Sequence, residues 1–184
     1  GGMSRVQPGG KTDPLIVREI FEKLRPRHSL TPAEVQKALE RYVHYLSEEI
    51  ESAETFRVLP GLPGLLEELE KSGRAVVGLA TGNVETGARV KLARADLNRF
   101  FPFGGFSSDH EVRVELTKIA VQRGRERAGG DIPGERIFGV GDTPHDISCA
   151  KAAGVRREWW RDFPVPPRAH GRARRRLRPE GRCP

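Results

Sequence analysis

Residues 137–155 read IFGVGDTPHDISCAKAAGV, and the fold turns on this stretch. Ile137, Phe138, Gly139 and Val140 form a short apolar run, as expected of a strand buried in a parallel sheet. Gly141 and Asp142 leave that strand, Thr143-Pro144 opens a helix over residues 144–153, and Gly154 closes it. Two carboxylates, Asp142 and Asp146, therefore stand on the turn between a buried strand and a helix. They lie about one helical turn apart and can face the same way.

Working outward, the same alternation recurs upstream. A short amphipathic helix over residues 62–71 ends at Ser72-Gly73, and AVVGLA, residues 75–80, is a second continuous apolar run. Helices follow over residues 85–97 and 111–128, separated by the irregular FPFGGFSSD with one short strand near Gly105-Phe106. Strand–helix alternation of this kind predicts an α/β fold with a doubly wound, Rossmann-like parallel sheet over residues 58–154.

Residues 1–12 read as loop, and residues 13–57 as a small helical unit with no strand in it. Asp13 is expected as a helix N-cap with Pro14 at the first helical position, and Leu15, Ile16, Ile20, Phe21 and Leu24 recur at helical spacing. Thr31-Pro32-Ala33-Glu34 is a capping box opening a helix to about residue 52, with Val35, Leu39, Tyr42, Val43, Leu46 and Ile50 on one stripe.

The charge is unevenly distributed. The 184 residues carry a formal net charge of +7, and residues 155–184 hold ten arginines against Glu158, Asp162 and Glu180, which accounts for all of it. Residues 1–154 are formally neutral, so the basic footprint of a nucleic-acid domain is not expected of the folded body. The tail, with five prolines and no apolar periodicity, is expected to be unpacked and to supply no strand after Gly154. No apolar run approaches the length of a membrane span. Cys149 and Cys183 show no disulfide or metal spacing, and a reducing cytoplasm is the expected compartment.

Ligands of open α/β sheets sit beyond the carboxyl ends of the strands. Two turns are suited to that place. Thr81, Gly82 and Asn83 follow one strand and offer a hydroxyl and backbone N–H groups to an anion. Asp142 follows the other and suits a hard cation such as Mg²⁺, which takes one or two carboxylates together with phosphate and water. Each turn also has a plainer explanation. TGN is a common strand-to-helix turn, Asp142 or Thr143 can cap the helix at Pro144, and Asp146 can stabilise its first turn through the dipole. Together, the two turns favour a phosphate-and-magnesium site.

At these residues the sequence resembles the haloacid dehalogenase-like hydrolases, in the branch similar to phosphoglycolate phosphatases, over roughly residues 10–154. VVGLATGN resembles the family's second motif, which implies phosphoryl binding by Thr81 with Gly82 and Asn83. IFGVGDTPHDISCAKAAG resembles the fourth, which implies Mg²⁺ ligation by Asp142, with Asp146 supporting the metal shell or the third-motif cation. That cation is Arg113, at a helix start, or Lys118, inside the helix; position favours Arg113. The helical unit corresponds to the family's cap. The first motif, DxDxT on the first strand, is found nowhere in the 184 residues. The resemblance thus implies a chain incomplete at its N-terminus, without the aspartate nucleophile and its acid/base partner. The arginine-rich end also departs from the family, as a shifted reading frame or a native basic tail. The implied partner is a small phosphorylated metabolite. An unpaired sheet edge where the first strand belongs suggests self-association; neither membrane nor nucleic acid is expected as a partner.

Overall fold

A computed structural model describes residues 6–159. In chain order the elements are α1 (Asp13–Leu24), α2 (Pro32–Glu49), α3 (Leu62–Ser72), β1 (Leu79–Ala80), α4 (Glu85–Arg94), β2 (Gly104–Gly105), α5 (Arg113–Arg127), β3 (Phe138–Gly141), α6 (Pro144–Ala152) and β4 (Arg156–Trp159). Single 3₁₀ turns lie at Ile50–Ser52, Asn98–Phe100 and Gly134–Arg136.

Local chemistry explains several helix ends. Thr31 and Glu34 exchange side-chain and backbone hydrogen bonds at the start of α2, the full capping box. Gly73 ends α3 in the left-handed region at φ 60°, where a side chain would be strained. Asp13 departs from expectation. Thr12 occupies the N-cap position of α1, and neither residue caps that helix through its side chain. The Asp13 carboxylate is instead spent on a turn 70 residues away, described below.

The helical unit and the α/β part each have a core. Val35, Leu39 and Val84 pack with Val17, Leu30 and Val43, so the first residues of α4's approach belong to the α1/α2 core. Leu66, Leu97, Phe100 and Phe101 pack with Leu62, Val77, Leu79 and Leu92 beneath α3. Phe106 and Leu116 are almost wholly buried between β2 and α5. The close approach there depends on Gly105: a Cβ on it would overlap the Leu116 carbonyl.

All strand pairing among the described residues is parallel, as the sequence predicts. It falls, however, into two separate sheets of two strands each. Leu79 and Ala80 stand opposite Gly104 and Gly105, and Phe138 to Gly141 stand opposite Arg156 to Trp159. Two expectations are corrected here. Residues 75–80 were expected to form a buried strand, but only Leu79–Ala80 pairs, and Ala75, Val76, Gly78 and Ala80 are exposed. Likewise Phe138 and Val140 of β3 are 50% and 45% exposed. The physical reason is common to both: an apolar strand is buried only when neighbours cover its edges and faces, and among the described residues these two have one strand neighbour each.

The second correction concerns the segment after Gly154. Val155 is buried, and Arg156–Trp159 forms β4 against β3, despite its charged composition. The Arg156 guanidinium lies 4.8 Å from the Phe138 ring centroid and covers part of an otherwise open face. The rest of the expected tail, residues 160–184, lies outside the described residues.

Candidate active site

The site is assembled around residues 10–13, which were expected to be loop and helix cap. Asp13 is buried, and its carboxylate accepts from the Val84 backbone N–H at 2.8 Å and from Asn83 Nδ2 at 3.0 Å. Its own N–H donates to the Gly82 carbonyl at 2.7 Å. Gly82 is pressed so closely on this segment that a Cβ there would fall 2.5 Å from the Lys11 carbonyl oxygen. Thr12 has no exposed surface and donates to the Glu111 carbonyl at 2.7 Å. Gly10 backs directly onto the His145 imidazole. One short segment thus touches the turn after β1, the loop before α5 and the turn after β3.

Of the sequence-predicted residues, Thr81, Gly82 and Asn83 form the first of these turns. The Asn83 N–H donates to Thr81 Oγ1 at 3.2 Å, which turns the hydroxyl oxygen back towards the chain as an acceptor and leaves its hydrogen available to a ligand. Asn83 Oδ1 accepts from Lys91 Nζ at 3.1 Å. The Asn83 side chain is therefore held at both ends, by Asp13 and Lys91, and acts on the turn's shape.

Arg113 and Asp146 are brought together. Arg113 Nη2 donates to Asp146 Oδ1 at 2.6 Å, with both side chains about four-fifths buried. The short distance is that of a charge-assisted bond. Arg113 is the first residue of α5, so its side chain leaves the helix where the chain emerges towards α6. The competing Lys118 pairs with Glu115 on the exposed side of the same helix, at 2.9 Å. Asp146 has a second duty. Its Oδ2 accepts from the Thr143 backbone N–H and hydroxyl, at 3.1 and 2.7 Å, while its own N–H donates to Thr143 Oγ1. One Asp146 oxygen thus caps the start of α6 and the other meets the Arg113 guanidinium.

Asp142 is exposed on the same β3–α6 turn. Among the described residues no group of three or more histidine, cysteine, aspartate or glutamate side chains converges. With Asp146 engaged by Arg113 and Thr143, Asp142 is the one carboxylate this turn offers to solvent. Mg²⁺ bound through one carboxylate takes its remaining ligands from phosphate and water, so Asp142 is the protein donor this turn would offer that ion.

A family model described as haloacid dehalogenase-like hydrolase matches residues 10–154. The chain belongs to the haloacid dehalogenase-like hydrolases. The matched span opens on the Gly10–Asp13 segment and closes on Gly154, so it contains every contact just described. No curated protein matches the chain. For this hydrolase domain the α/β architecture with parallel strands is as its family implies, and no helix among the described residues is long and apolar enough to cross a membrane.

Two further parts of the domain escaped sequence reasoning. Asp109 forms a paired ion contact with Arg123, Nη1 to Oδ2 and Nη2 to Oδ1, both at 2.8 Å. The Arg123 guanidinium, then the Phe106 N–H, hold the Asp109 carboxyl below its usual range, although burial opposes them. This pair pins the SSDHE loop to α5. A groove of about 600 Å³ runs between α1/α2 and that loop, with Arg18, Val35, Leu39, Ser107 and Glu111 on its walls. Arg18 bridges the two sides, donating to Glu111 at 3.0 Å and to the Leu30 carbonyl. These contacts join residues far apart in sequence, and no local pattern signals them.

Proposed function

We propose that this domain carries the phosphate site of a Mg²⁺-dependent phosphatase of small phosphate monoesters, in the phosphoglycolate phosphatase-like branch, and that the 184-residue chain binds phosphate without hydrolysing it. The carrying observation is the Arg113–Asp146 contact, which sets a guanidinium at the mouth of the β3–α6 turn, while Lys118 is engaged elsewhere. In this reading Thr81 and the amides of Gly82 and Asn83 take phosphoryl oxygens, and Arg113 neutralises their charge by forked hydrogen bonding. Asp146 positions Arg113. The helical unit at residues 13–57 serves as the cap and the groove beneath it faces the substrate's leaving group. Asp142 is the donor the chain offers towards Mg²⁺, and no step is assigned to the ion.

The covalent step has no candidate. No DxD pair occurs in the sequence, and Asp13, the carboxylate nearest the Thr81 turn in the hydrogen-bond network, is bonded to Val84 and Asn83. Loss of a nucleophile that works as a unit with its partners costs on the order of 10⁴–10⁶ in rate. That absence also favours a second reading, a non-catalytic remnant or pseudoenzyme that holds phosphate or a protein partner. Self-association through sheet edges and a cytoplasmic setting, suited to the free Cys149, complete the proposal.

The test is phosphate titration of the unaltered chain, Arg113→Ala and Lys118→Ala by calorimetry, alongside aryl phosphate turnover with and without Mg²⁺. Phosphate should bind to the unaltered chain and Lys118→Ala alike, and not to Arg113→Ala, with no turnover. Equal binding by Arg113→Ala would remove the site. Robust turnover abolished by Asp142→Asn would show that a nucleophile is present after all.

A further inference from the structure

The buried carboxylate of Asp13 lies directly against the turn assigned to an anion. Among the described residues its two side-chain donors, the Val84 N–H and the Asn83 amide, are both neutral. A buried negative charge in that place repels a second one. The counter-charge stands one residue removed. Asn83 Nδ2 donates to Asp13 Oδ1 at 3.0 Å, and Asn83 Oδ1 accepts from Lys91 Nζ at 3.1 Å. The three side chains form a relay of fixed polarity, from cation to amide oxygen and from amide nitrogen to anion. An amide has one accepting end and one donating end, so the ions on either side decide which way Asn83 points.

Helix electrostatics alone do not account for the place of Lys91. The residue belongs to α4, Glu85–Arg94, and side chains on a helix lean towards its N-terminus. Its ammonium reaches back eight positions to Asn83, just ahead of that helix. The N-terminal end of a helix carries partial positive charge and disfavours a cation. Arg89, on the same helix, instead takes the ordinary partner four positions away, Glu85. The Tyr42 ring of α2 flanks the Lys91 ammonium, 5.9 Å from Nζ to centroid. The half-buried lysine is thus held between the helical unit and the turn.

We propose that Lys91 is a positioning residue of the anion-binding turn: through Asn83 it offsets the charge of Asp13 and holds the turn in the shape that takes a phosphate. The proposal rests on the phosphate reading given above. The Asn83 backbone N–H donates to Thr81 Oγ1, and its carbonyl accepts from the Ser107 N–H. A side chain fixed at both ends fixes those two backbone groups as well. Without Lys91 the Asn83 amide oxygen loses its partner and the Asp13 charge loses its offset. Neutralising both ends together should undo the damage. With Asp13→Asn and Lys91→Gln combined, the Asn83 amide can reverse, accepting from the new amide at position 13 and donating to the one at position 91. The relay then keeps its hydrogen bonds and carries no charge.

The experiment titrates inorganic phosphate into the full chain by calorimetry. The variants are Lys91→Gln, Lys91→Arg, the double variant Asp13→Asn/Lys91→Gln, and Arg113→Ala, each checked by urea unfolding. Lys91→Gln should bind about tenfold more weakly than the unaltered chain, the scale of one partly screened charge at short range. Lys91→Arg keeps the charge and the double variant removes the need for it, so both should stay within about threefold of the unaltered chain. A Lys91→Gln chain that is less stable yet binds phosphate as tightly would show a merely structural lysine and overturn the proposal. A double variant as weak as Lys91→Gln would show that Lys91 meets the phosphate directly, and overturns it too. Arg113→Ala separates this role from the site itself. Where binding needs Arg113 and not Lys91, the phosphate site stands and the role of Lys91 falls. Where the unaltered chain does not bind, or binds no better than Arg113→Ala, the site is wrong and the role falls with it. Should Lys91→Gln fail to fold, the double variant decides, because it keeps every bond of the relay and must bind like the unaltered chain.

Discussion

Replacing Asp13 by alanine tests the joint between the helical unit and the anion-binding turn. The carboxylate is 8% exposed and receives two hydrogen bonds, one from the Val84 N–H, itself on a buried residue, and one from the Asn83 amide. A hydrogen bond to a charged group contributes about 1.5–3 kcal/mol, and stranding a buried N–H costs about 1–3 kcal/mol. The two bonds share one carboxylate, so their losses overlap, and Asp13→Ala should cost about 2–4 kcal/mol in all. For a domain of this size that lowers Tm by on the order of 10 °C. Asp13→Asn keeps one acceptor oxygen and should lose roughly half as much. Urea unfolding by circular dichroism supplies the free energies, and amide exchange at Val84 reports on the joint itself. A cost for Asp13→Ala below about 0.5 kcal/mol, the range of neutral surface changes, with Val84 protection unchanged, would refute the clasp.

Three other outcomes are expected. Asp109 has its folded carboxyl pKa lowered, chiefly by Arg123, so its contribution to stability is full above the unfolded value near 3.8 and fades as pH falls through the lower folded value; Asp109→Asn should flatten the acid limb of a Tm–pH profile below about pH 4 and a parallel limb would contradict this. Gly105→Ala should destabilise by about 1–3 kcal/mol, because the new methyl meets the Leu116 backbone and not a flexible side-chain tip, and urea unfolding gives the figure. Truncation after residue 159 should leave Tm nearly unchanged and abolish any salt-sensitive DNA binding, whereas truncation after residue 155 deletes β4 and should lower Tm measurably; equal melting of the two truncations would mean that β4 adds nothing.

What the sequence revealed depended on how far apart the interacting residues lie. The Thr31–Glu34 box spans three residues and was readable as written. Arg113 was preferred to Lys118 because a helix start faces the ligand end of a strand layer, and its contact with Asp146 agrees with that geometry. The extent of β1 was misjudged because AVVGLA looks the same whether or not a neighbour lies alongside; β2 offers just Gly104 and Gly105 for pairing. Residues 156–159 were hidden by their charges, although β3 supplies the ladder and Phe138 a seat for Arg156. Asp13 was legible as a helix-start residue, but its true partners, at residues 82–84, lie far downstream, beyond any local pattern.

The same distances bear on the order in which the molecule assembles. Residues 10–13 meet partners at 82–84, at 111 and at 145, so closing each of these loops costs chain entropy before the long-range contacts form. The α1–α2 pair and the β3–α6–β4 unit, by contrast, are built from near neighbours. The segment is therefore expected to dock late, after the barrier to folding has been crossed, and φ-values near zero for substitutions at Asp13 would check this. Its bonds would then act as a latch on escape: weakening them should quicken unfolding and leave the folding rate almost untouched, so that four residues lengthen the life of the native state.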